Sequence, residues 1–223
     1  MKRRSVKRFG TGADMAGFAA GFFEAALREK SRGKFLVAIS GGRTPAGLFK
    51  KLSALPLPWD RVVFFMADER LVPLSSPDSN FGAARRALFS RIKIPAANLR
   101  PVKNGAAAYE KELLKETGDS GRLDLIFLGL GEDGHTASLF PGSPVLHERG
   151  RFVSAARAPR GARPEKRVTL TLKALNRARA LVLMASGPGK KKIFERAARG
   201  DRSIPAGRLR PRGGLHLLYS ERI

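Results

Sequence analysis

Short apolar segments alternate along this chain with longer segments of helical periodicity, and no other feature narrows the possible folds as much. Strands of a parallel sheet have helices on both faces, so they appear as continuous runs of Val, Ile, Leu and Phe. Such runs separated by helices indicate strand–helix–strand units. We therefore predict an α/β fold with a mainly parallel sheet flanked by helices.

The periodicity also places the individual elements of this fold. We predict strands at 35–39, 62–66, 123–128, 168–172, 181–185 and 215–219. We predict helices at 13–30, 45–52, 80–92, 106–116, 172–178 and 190–199. In open parallel sheets ligands bind beyond the carboxyl ends of the strands, so the residues just after each strand are the first candidates for a site.

Length and composition set further limits. With 223 residues, 43% of them hydrophobic, the chain is long enough to bury a substantial core, and we expect one domain over residues 1–223. No run approaches the roughly 20 apolar residues that span a bilayer. Segment 12–32 fits an amphipathic helix better than a secretion signal. Cysteine is absent, which excludes disulfides and thiolate zinc sites. We expect a cytoplasmic protein, and the sequence leaves its oligomeric state open.

The formal charge of +24, from 43 basic and 19 acidic residues, indicates either a polyanionic partner or a field that attracts small anionic substrates. The basic residues are spread along the chain, with short clusters at 2–8, 157–167, 190–192 and 208–212. No aromatic RNA-binding motif, zinc-finger spacing or basic zipper accompanies them. We therefore favour a solvated basic surface, to which nucleic acid binds only through non-specific, salt-sensitive electrostatics.

The segment after the first predicted strand reads Ser40-Gly41-Gly42-Arg43-Thr44-Pro45. The two glycines permit close backbone approach, and we predict that Thr44 caps a helix starting at Pro45. Free N–H groups at a helix start, together with the hydroxyls of Ser40 and Thr44, would suit a phosphate ester. An ordinary strand-to-helix turn explains the same residues, so this segment alone leaves both interpretations open.

Three charged residues, Asp68-Glu69-Arg70, follow the second predicted strand. Taken alone, such a group is typical of a solvated or self-paired turn. Its place at the carboxyl end of a strand favours a role in a site.

The most specific segment follows the third predicted strand and reads Gly-Glu-Asp-Gly-His-Thr-Ala-Ser-Leu-Phe-Pro-Gly at 131–142. Gly129, Gly131 and Gly134 have the spacing of a dinucleotide-binding loop. A genuine loop of that kind needs a long helix after it and an acid ending the next strand. Here Pro141 ends the helical pattern early, and the next apolar piece leads into Arg157. Dinucleotide binding is therefore disfavoured.

His135 offers a base that titrates near neutral pH, and Asp133 lies two residues before it in a glycine-rich turn. A carboxylate in that place fixes the imidazole tautomer or stabilises the imidazolium. We therefore predict a water-activating pair of His135 and Asp133. His147 and His216 lack such a setting, and we assign them no role.

Two cations near later strands are candidates to bind phosphate. Arg167 introduces the strand predicted at 168–172, and Lys190 follows Ser186-Gly187-Pro188-Gly189. The second segment resembles an ATP-binding loop only superficially, because Met184 and Lys191 replace the required Gly and Ser or Thr. No Gly-x-Ser-x-Gly elbow supports a serine hydrolase, and the acids and histidines lack a metal-ligand spacing, so we predict no metal site.

Taken in order, segments 40–45, 68–73, 79–80 and 128–142 closely resemble the 6-phosphogluconolactonases of the pentose phosphate pathway. Arg167-Val168-Thr169 and Gly187-Pro188-Gly189-Lys190 continue the resemblance, which covers most of the chain. It implies a single Rossmann-like domain, as in glucosamine-6-phosphate deaminases and ribose-5-phosphate isomerases. It also implies hydrolysis of 6-phospho-D-glucono-1,5-lactone to 6-phospho-D-gluconate, by direct water attack without an organic cofactor or a metal.

The resemblance further implies a role for each matching residue. His135 would activate water with support from Asp133, and Asp68 and Arg70 would line the substrate site. The phosphate would be held by Ser40, Gly41, Gly42, Arg43, Thr44, Arg167 and Lys190. Either loop amides or Arg70 would stabilise the oxyanion.

Two other functions stay open. In the related amino-sugar-phosphate isomerases and deaminases the loop continues Gly-His-Ile-Ala-Phe-Asn-Glu, and Phe140 stands in the place of that Glu. The change removes an acid–base group that ring opening and isomerisation use. A non-catalytic sugar-phosphate or RNA-binding protein would exploit the same fold and charge. Segment 215–220 also lacks the Trp and Asp common near this family's end, which puts the last predicted strand in question.

Overall fold

The computed structural model describes residues 3–223, except for the side chains of residues 3 and 43. Within the described residues the strands are β1 (Arg3–Phe9), β2 (Phe35–Ile39), β3 (Val62–Met66), β4 (Asp68–Arg70), β5 (Leu99–Arg100), β6 (Leu125–Gly129), β7 (Val153–Arg157), β8 (Lys166–Leu170), β9 (Ala180–Ser186) and β10 (Gly214–Ser220). The α-helices are α1 (Gly12–Glu29), α2 (Arg43–Leu52), α3 (Asn80–Ala87), α4 (Gly105–Thr117), α5 (Leu172–Arg177) and α6 (Lys191–Arg199).

Seven strands form one parallel sheet in the order β1-β10-β9-β6-β2-β3-β5. The continuous apolar runs lie at its centre, where every residue of β2 and β3 is buried. Phe23 of α1 packs against aromatic rings on three of these strands, Phe35, Phe64 and Phe127. The predicted fold class, a mainly parallel sheet flanked by helices in one domain, is therefore confirmed.

A smaller antiparallel sheet has the order β4-β8-β7. The strand predicted at 168–172 is β8, which begins earlier and belongs to this second sheet, not to the parallel one. In the register of β4 and β8, Asp68 lies opposite Thr169 and Arg70 lies opposite Arg167. The three charged residues that follow the second predicted strand therefore form a strand of their own, which the sequence did not predict.

The two strands at one end of the parallel sheet depart most from the sequence expectation. β1 was not predicted, because its charged side chains hide the pattern, although charges on an edge strand are a common protection against aggregation. β10 forms as predicted despite its atypical sequence, and it pairs in parallel with both β1 and β9. No helix among the described residues has the length and apolar character needed to cross a membrane.

The carboxylate of Glu69 ties the small sheet to the start of α3. The residue is 1% exposed, and its two oxygens accept hydrogen bonds from four groups. The donors are the backbone amides of Arg70 (2.8 Å), Asn80 (2.7 Å) and Phe81 (2.7 Å) and the hydroxyl of Ser79 (3.1 Å). Burial raises the pKa of the Glu69 carboxyl, and these hydrogen bonds oppose the rise. A carboxylate here satisfies amides that the first turn of a helix leaves without partners.

We expect Glu69→Ala to lower the free energy of unfolding by about 3 kcal/mol, because it leaves several buried donors unpaired. The measurement is urea denaturation followed by circular dichroism. Glu112→Ala serves as the control, because Glu112 is a partly exposed carboxylate on the surface of α4 that pairs with Lys115 and, at 4.0 Å, with Arg100, and its loss should change stability little. Equal unfolding midpoints for Glu69→Ala and the unmodified chain would contradict this account of the network.

Candidate active site

A cavity of about 380 Å³ opens at the carboxyl ends of β2, β6 and β9 and beside the small sheet. This is where ligands bind in open parallel sheets. Its lining includes the predicted residues Ser40, Gly41, Gly42, Thr44, Asp68, Arg70, His135, Arg167 and Lys190. Asp133 reaches the cavity through His135, and the side chain of Arg43 lies outside the described part of the chain. The fold thus brings together residues that lie up to 150 positions apart in the sequence.

The His135 imidazole is held by the neighbouring carboxylate. The Asp133 Oδ1 atom lies 2.5 Å from His135 Nδ1 and also accepts a hydrogen bond of 3.0 Å from the His135 amide. Gly131 makes this pair possible, because a Cβ atom there would lie 2.1 Å from His135 Nδ1. The side chains of His135 and Asp133 are 34% and 43% exposed, so water reaches the pair. The other ring nitrogen, Nε2, is left to accept a proton.

The loop that follows His135 fixes the ring from one side. The Phe140 ring packs against the imidazole with a centroid distance of 4.8 Å. Between them Ala137 has φ of 48°, a left-handed conformation that is rare for a residue with a side chain. Such conformations persist where the surroundings hold them, and here Ser138 is anchored by hydrogen bonds to Thr169 (3.2 Å) and Asp68 (2.7 Å).

Two arginines face the cavity from the small sheet. Arg70 and Arg167 are directly opposite each other on β4 and β8, an arrangement that normally destabilises a sheet. Burial lowers the pKa of the Arg167 guanidinium, and the charge of Arg70 lowers it further. Each side chain donates one hydrogen bond to a backbone carbonyl, Arg167 to Pro164 (2.8 Å) and Arg70 to Asp78 (2.7 Å). Two like charges side by side in a cavity suit an anionic ligand.

Asp68 is the acidic residue on the cavity wall. It is 7% exposed, and its Oδ2 atom accepts a hydrogen bond from the Ser138 hydroxyl at 2.7 Å. Burial raises the pKa of the Asp68 carboxyl, while the Ser138 hydroxyl and the charges of Arg70 and Arg167 oppose the rise. A carboxylate repels phosphate, so Asp68 suits the hydroxyl groups of a ligand better than its phosphoryl group.

The loop after β2 differs in one detail from the sequence prediction. The predicted cap by Thr44 is wrong, because α2 begins at Arg43 with Gly42 as its N-cap and no side chain caps it. The Thr44 hydroxyl instead lies 3.0 Å from that of Ser186. The Ser40 hydroxyl is buried beside the cavity and has no hydrogen-bond partner among the described residues, so it is available to a ligand.

Lys190 approaches the cavity from the turn after β9. Its Nζ atom donates a hydrogen bond of 2.5 Å to the Leu130 carbonyl in the loop that carries His135. The ammonium group is therefore fixed against the loop that carries His135 by a backbone contact.

Several residues of the site had no role predicted from the sequence, although Asn80 and Ser138 lie in segments that carry the family resemblance. Ser138 and Asn80 are buried polar residues that position other groups, and Asn80 packs so closely on Gly41 that a Cβ there would lie 2.0 Å from Asn80 Oδ1. Ala158 and Ala162 enter the lining from the connection between β7 and β8. The described residues hold no group of three His, Asp or Glu side chains arranged to bind a metal ion.

Comparison with known proteins identifies relatives along almost the whole chain. The profile of the family described as glucosamine-6-phosphate isomerases/6-phosphogluconolactonase matches residues 11–218. The 6-phosphogluconolactonase of Synechocystis sp. is 37% identical over 205 residues, which cover 85% of this chain and 83% of that protein. The 6-phosphogluconolactonase of Rattus norvegicus is 37% identical over 207 residues, or 85% and 79% of the two chains.

Solved structures show the same fold. The crystal structure of a 6-phosphogluconolactonase from Thermotoga maritima superposes with a TM-score of 0.86 at 29% identity, over 98% of this chain and 100% of that one. A monomeric glucosamine-6-phosphate deaminase superposes with a TM-score of 0.82 at 20% identity, over 99% and 97%, a likeness of fold alone. The profile match over residues 11–218, together with relatives 37% identical over most of their length, shows that this chain belongs to the glucosamine-6-phosphate isomerase/6-phosphogluconolactonase family.

Proposed function

We propose that this chain hydrolyses 6-phospho-D-glucono-1,5-lactone to 6-phospho-D-gluconate, a step of the pentose phosphate pathway. The observation that carries this proposal is the pairing, in one cavity, of a carboxylate-held imidazole with two adjacent arginines. The first arrangement suits activation of water, and the second suits a substrate that is anionic and develops further negative charge. The names of the relatives quoted above support the same reaction.

Water attack begins at the His135 imidazole. The Nδ1–H group donates to Asp133, which leaves the Nε2 lone pair free to take a proton from water. The resulting hydroxide oxygen bonds to the lactone carbonyl carbon, and the carbonyl oxygen becomes an oxyanion. The Asp133 carboxylate stabilises the imidazolium formed in this step. Arg70 is the donor proposed to stabilise the oxyanion, since the amides of the loop at 40–44 are assigned to the phosphoryl group.

Ring opening reverses the proton transfer. When the tetrahedral intermediate collapses, the carbonyl re-forms and the bond from the carbonyl carbon to the ring oxygen breaks. The imidazolium returns its proton to that oxygen, which becomes the hydroxyl of the open-chain product. His135 thus ends each turnover as neutral imidazole, ready for the next water molecule.

The phosphoryl group is proposed to bind to Arg167, Lys190 and the start of α2, where amide groups and the Ser40 hydroxyl are available. A guanidinium offers bidentate contacts, and an ammonium adds a point charge. Asp68 is proposed to bind sugar hydroxyls. This specifies the role implied by the family resemblance, in which Asp68 lines the substrate site.

Phe140 argues against the amino-sugar reaction within the same family. Its side chain packs on His135, at the place where the sequence comparison with deaminases puts a carboxylate. A phenyl ring supplies no proton for opening a sugar ring and no base for moving one along the carbon chain. Water attack on a lactone needs neither group.

The remaining expectations are proposed on the same basis. We propose that residues 1–223 form one lactonase domain, and that it acts in the cytoplasm, where a phosphorylated substrate is retained by its charge. Contacts with nucleic acid would be non-specific and lost at high salt.

His135→Ala should lower kcat by at least a factor of about 100, because the general base is lost. Asp133→Asn should cause a smaller loss, on the order of tenfold, since the tautomer is then less well fixed. Rates are measured with a pH indicator that reports the proton released on lactone hydrolysis, and the rate of spontaneous hydrolysis is subtracted. His147→Ala removes a histidine that does not line this cavity and should leave the rate unchanged. A His135→Ala variant as fast as the unmodified chain would refute the mechanism.

Arg167→Ala and Lys190→Ala should each raise KM by roughly tenfold, the effect of losing one charge-assisted contact of about 1.4 kcal/mol. Their neighbours Lys166 and Lys191 are exposed, so Lys166→Ala and Lys191→Ala remove the same charge without a cavity contact. Steady-state kinetics of all four variants separate local contacts from long-range attraction. If the control variants raise KM as much as the site variants, the phosphate assignment is wrong.

Asp68→Asn should weaken competitive inhibition by 6-phosphogluconate but not by inorganic phosphate. The reason is that an amide replaces a strong acceptor for hydroxyl groups while the cations stay in place. We expect Ki for 6-phosphogluconate to rise about tenfold, and Ki for phosphate to stay constant or fall. A parallel rise of both constants would show that Asp68 acts on the phosphoryl group or on the fold of the site.

A further inference from the structure

A second cavity, of about 550 Å³, lies apart from the one that contains His135. The two cavities share no lining residue among the described residues. Segments 146–149, 172–176 and 202–208 line it. Four of the lining side chains are cations: Arg149, Lys173, Arg202 and Arg208. We propose that this cavity binds a small anion that carries two or more phosphoryl charges.

The positive charge of this cavity is not neutralised from within the protein. Among the ion pairs of the described residues, none involves Arg149, Lys173, Arg202 or Arg208. The acidic side chain on the wall, Glu148, accepts hydrogen bonds from the backbone amides of Gly150 (2.6 Å) and Arg151 (3.0 Å). The cavity wall therefore carries four cations and one carboxylate, and that carboxylate already accepts hydrogen bonds from backbone amides. Such a concave patch concentrates anions.

Two of these cations, Arg208 and Lys173, are held in place by backbone contacts. The Arg208 Nε atom donates to the Arg202 carbonyl at 2.8 Å, which leaves its terminal amino groups without a partner among the described residues. Lys173 donates to the Gly150 carbonyl, and its ammonium lies 4.2 Å from the centre of the Phe152 ring. Side chains fixed in this way lose less entropy when a ligand binds.

The backbone beneath the cavity is also fixed. The Asn176 amide group donates to the Arg208 carbonyl at 3.3 Å, and its oxygen accepts from the Arg210 amide at 2.5 Å. The Ala206 amide donates to the Gly134 carbonyl at 3.0 Å and so ties the same segment to the catalytic loop. Arg202 and Arg208 therefore project from a chain segment with a defined position.

The shape favours a small molecule over a nucleic acid. Ligand cavities commonly have volumes of about 300 to 1,000 Å³, and here Leu146 and Leu172 add apolar surface for the carbon part of a ligand. Proteins that bind single-stranded nucleic acid stack its bases on aromatic side chains along a groove. No Phe, Tyr or Trp is among the described residues that line this cavity. The chemistry that fits is a diphosphate or bisphosphate, either free or as part of a nucleotide.

Calorimetric titration with pyrophosphate and with ATP tests the proposal. The titrations use the Arg167→Ala/Lys190→Ala background, so that anion binding beside His135 is weakened. We expect saturable binding of at least one of the two probes. Adding Arg149→Gln/Arg202→Gln/Arg208→Gln should weaken it at least tenfold, because three contacts with the ligand are lost. Circular dichroism confirms that each variant is folded. The result does not depend on lactonase activity.

The matched control is Arg85→Gln/Arg86→Gln/Arg91→Gln, which removes three exposed arginine charges from another part of the surface. It should change affinity less than twofold. Equal losses in both triple variants would overturn the proposal, because attraction would then come from net charge alone. Absence of binding by both probes would also overturn it. A third result would overturn it as well: a ten-nucleotide oligouridylate that binds more tightly than pyrophosphate and ATP and that pyrophosphate does not displace. That result would assign the surface to nucleic acid.

Discussion

The geometry of the proposed active site depends on the hydrogen bonds that the buried carboxylate of Glu69 accepts. This carboxylate accepts hydrogen bonds from both its own strand and the start of α3, and so fixes the position of the residues on either side of it. Asp68 and Arg70 flank Glu69 in β4, and Asn80 begins α3 and packs on Gly41 of the neighbouring loop. One interior carboxylate thus holds three parts of the cavity wall without touching the cavity. A buried charge is retained only where hydrogen bonds compensate its loss of water, and here four donors do so.

The strand β4 also carries Arg70, whose positive charge lies opposite that of Arg167 on β8, and an anionic substrate would neutralise this pair. Arg70 and Arg167 face each other across the small sheet, and Asp68 beside them offsets part of their charge. Like charges at paired positions weaken a sheet, so an anion bound between them would stabilise the protein as well as position the reaction. The strongly basic chain would also draw anionic substrates toward the cavity before contact. Substrate capture and transition-state stabilisation then arise from one set of charges.

The sequence predicted the parts of this molecule that repeat a simple pattern. Apolar runs gave the positions of β2 and β3 to the residue, because strands covered on both faces need continuous apolar side chains. β1, β4, β5 and β7 were missed. For β1 and β4 the reason is that an edge strand and a short polar strand are fixed by pairing with β10 and β8, which periodicity does not report. His135 and Asp133 were found because a turn of adjacent residues brings them together. Ser138 was not, since its partners Asp68 and Thr169 are distant in sequence.

The fold by itself does not decide between the two reactions of this family, since a deaminase superposes almost as well as a lactonase. The choice rests on the group beside the imidazole. Opening an amino-sugar ring and moving a proton along its carbon chain need an acid–base group in addition to the histidine, whereas lactone hydrolysis needs one base and one water molecule. Phe140 covers one side of His135 with a ring that can neither donate nor accept a proton. With a phenyl ring at this position, the hydrogen bond to Asp133 holds the Nδ1 atom of His135 and the Nε2 atom remains to accept a proton. Water attack requires this arrangement.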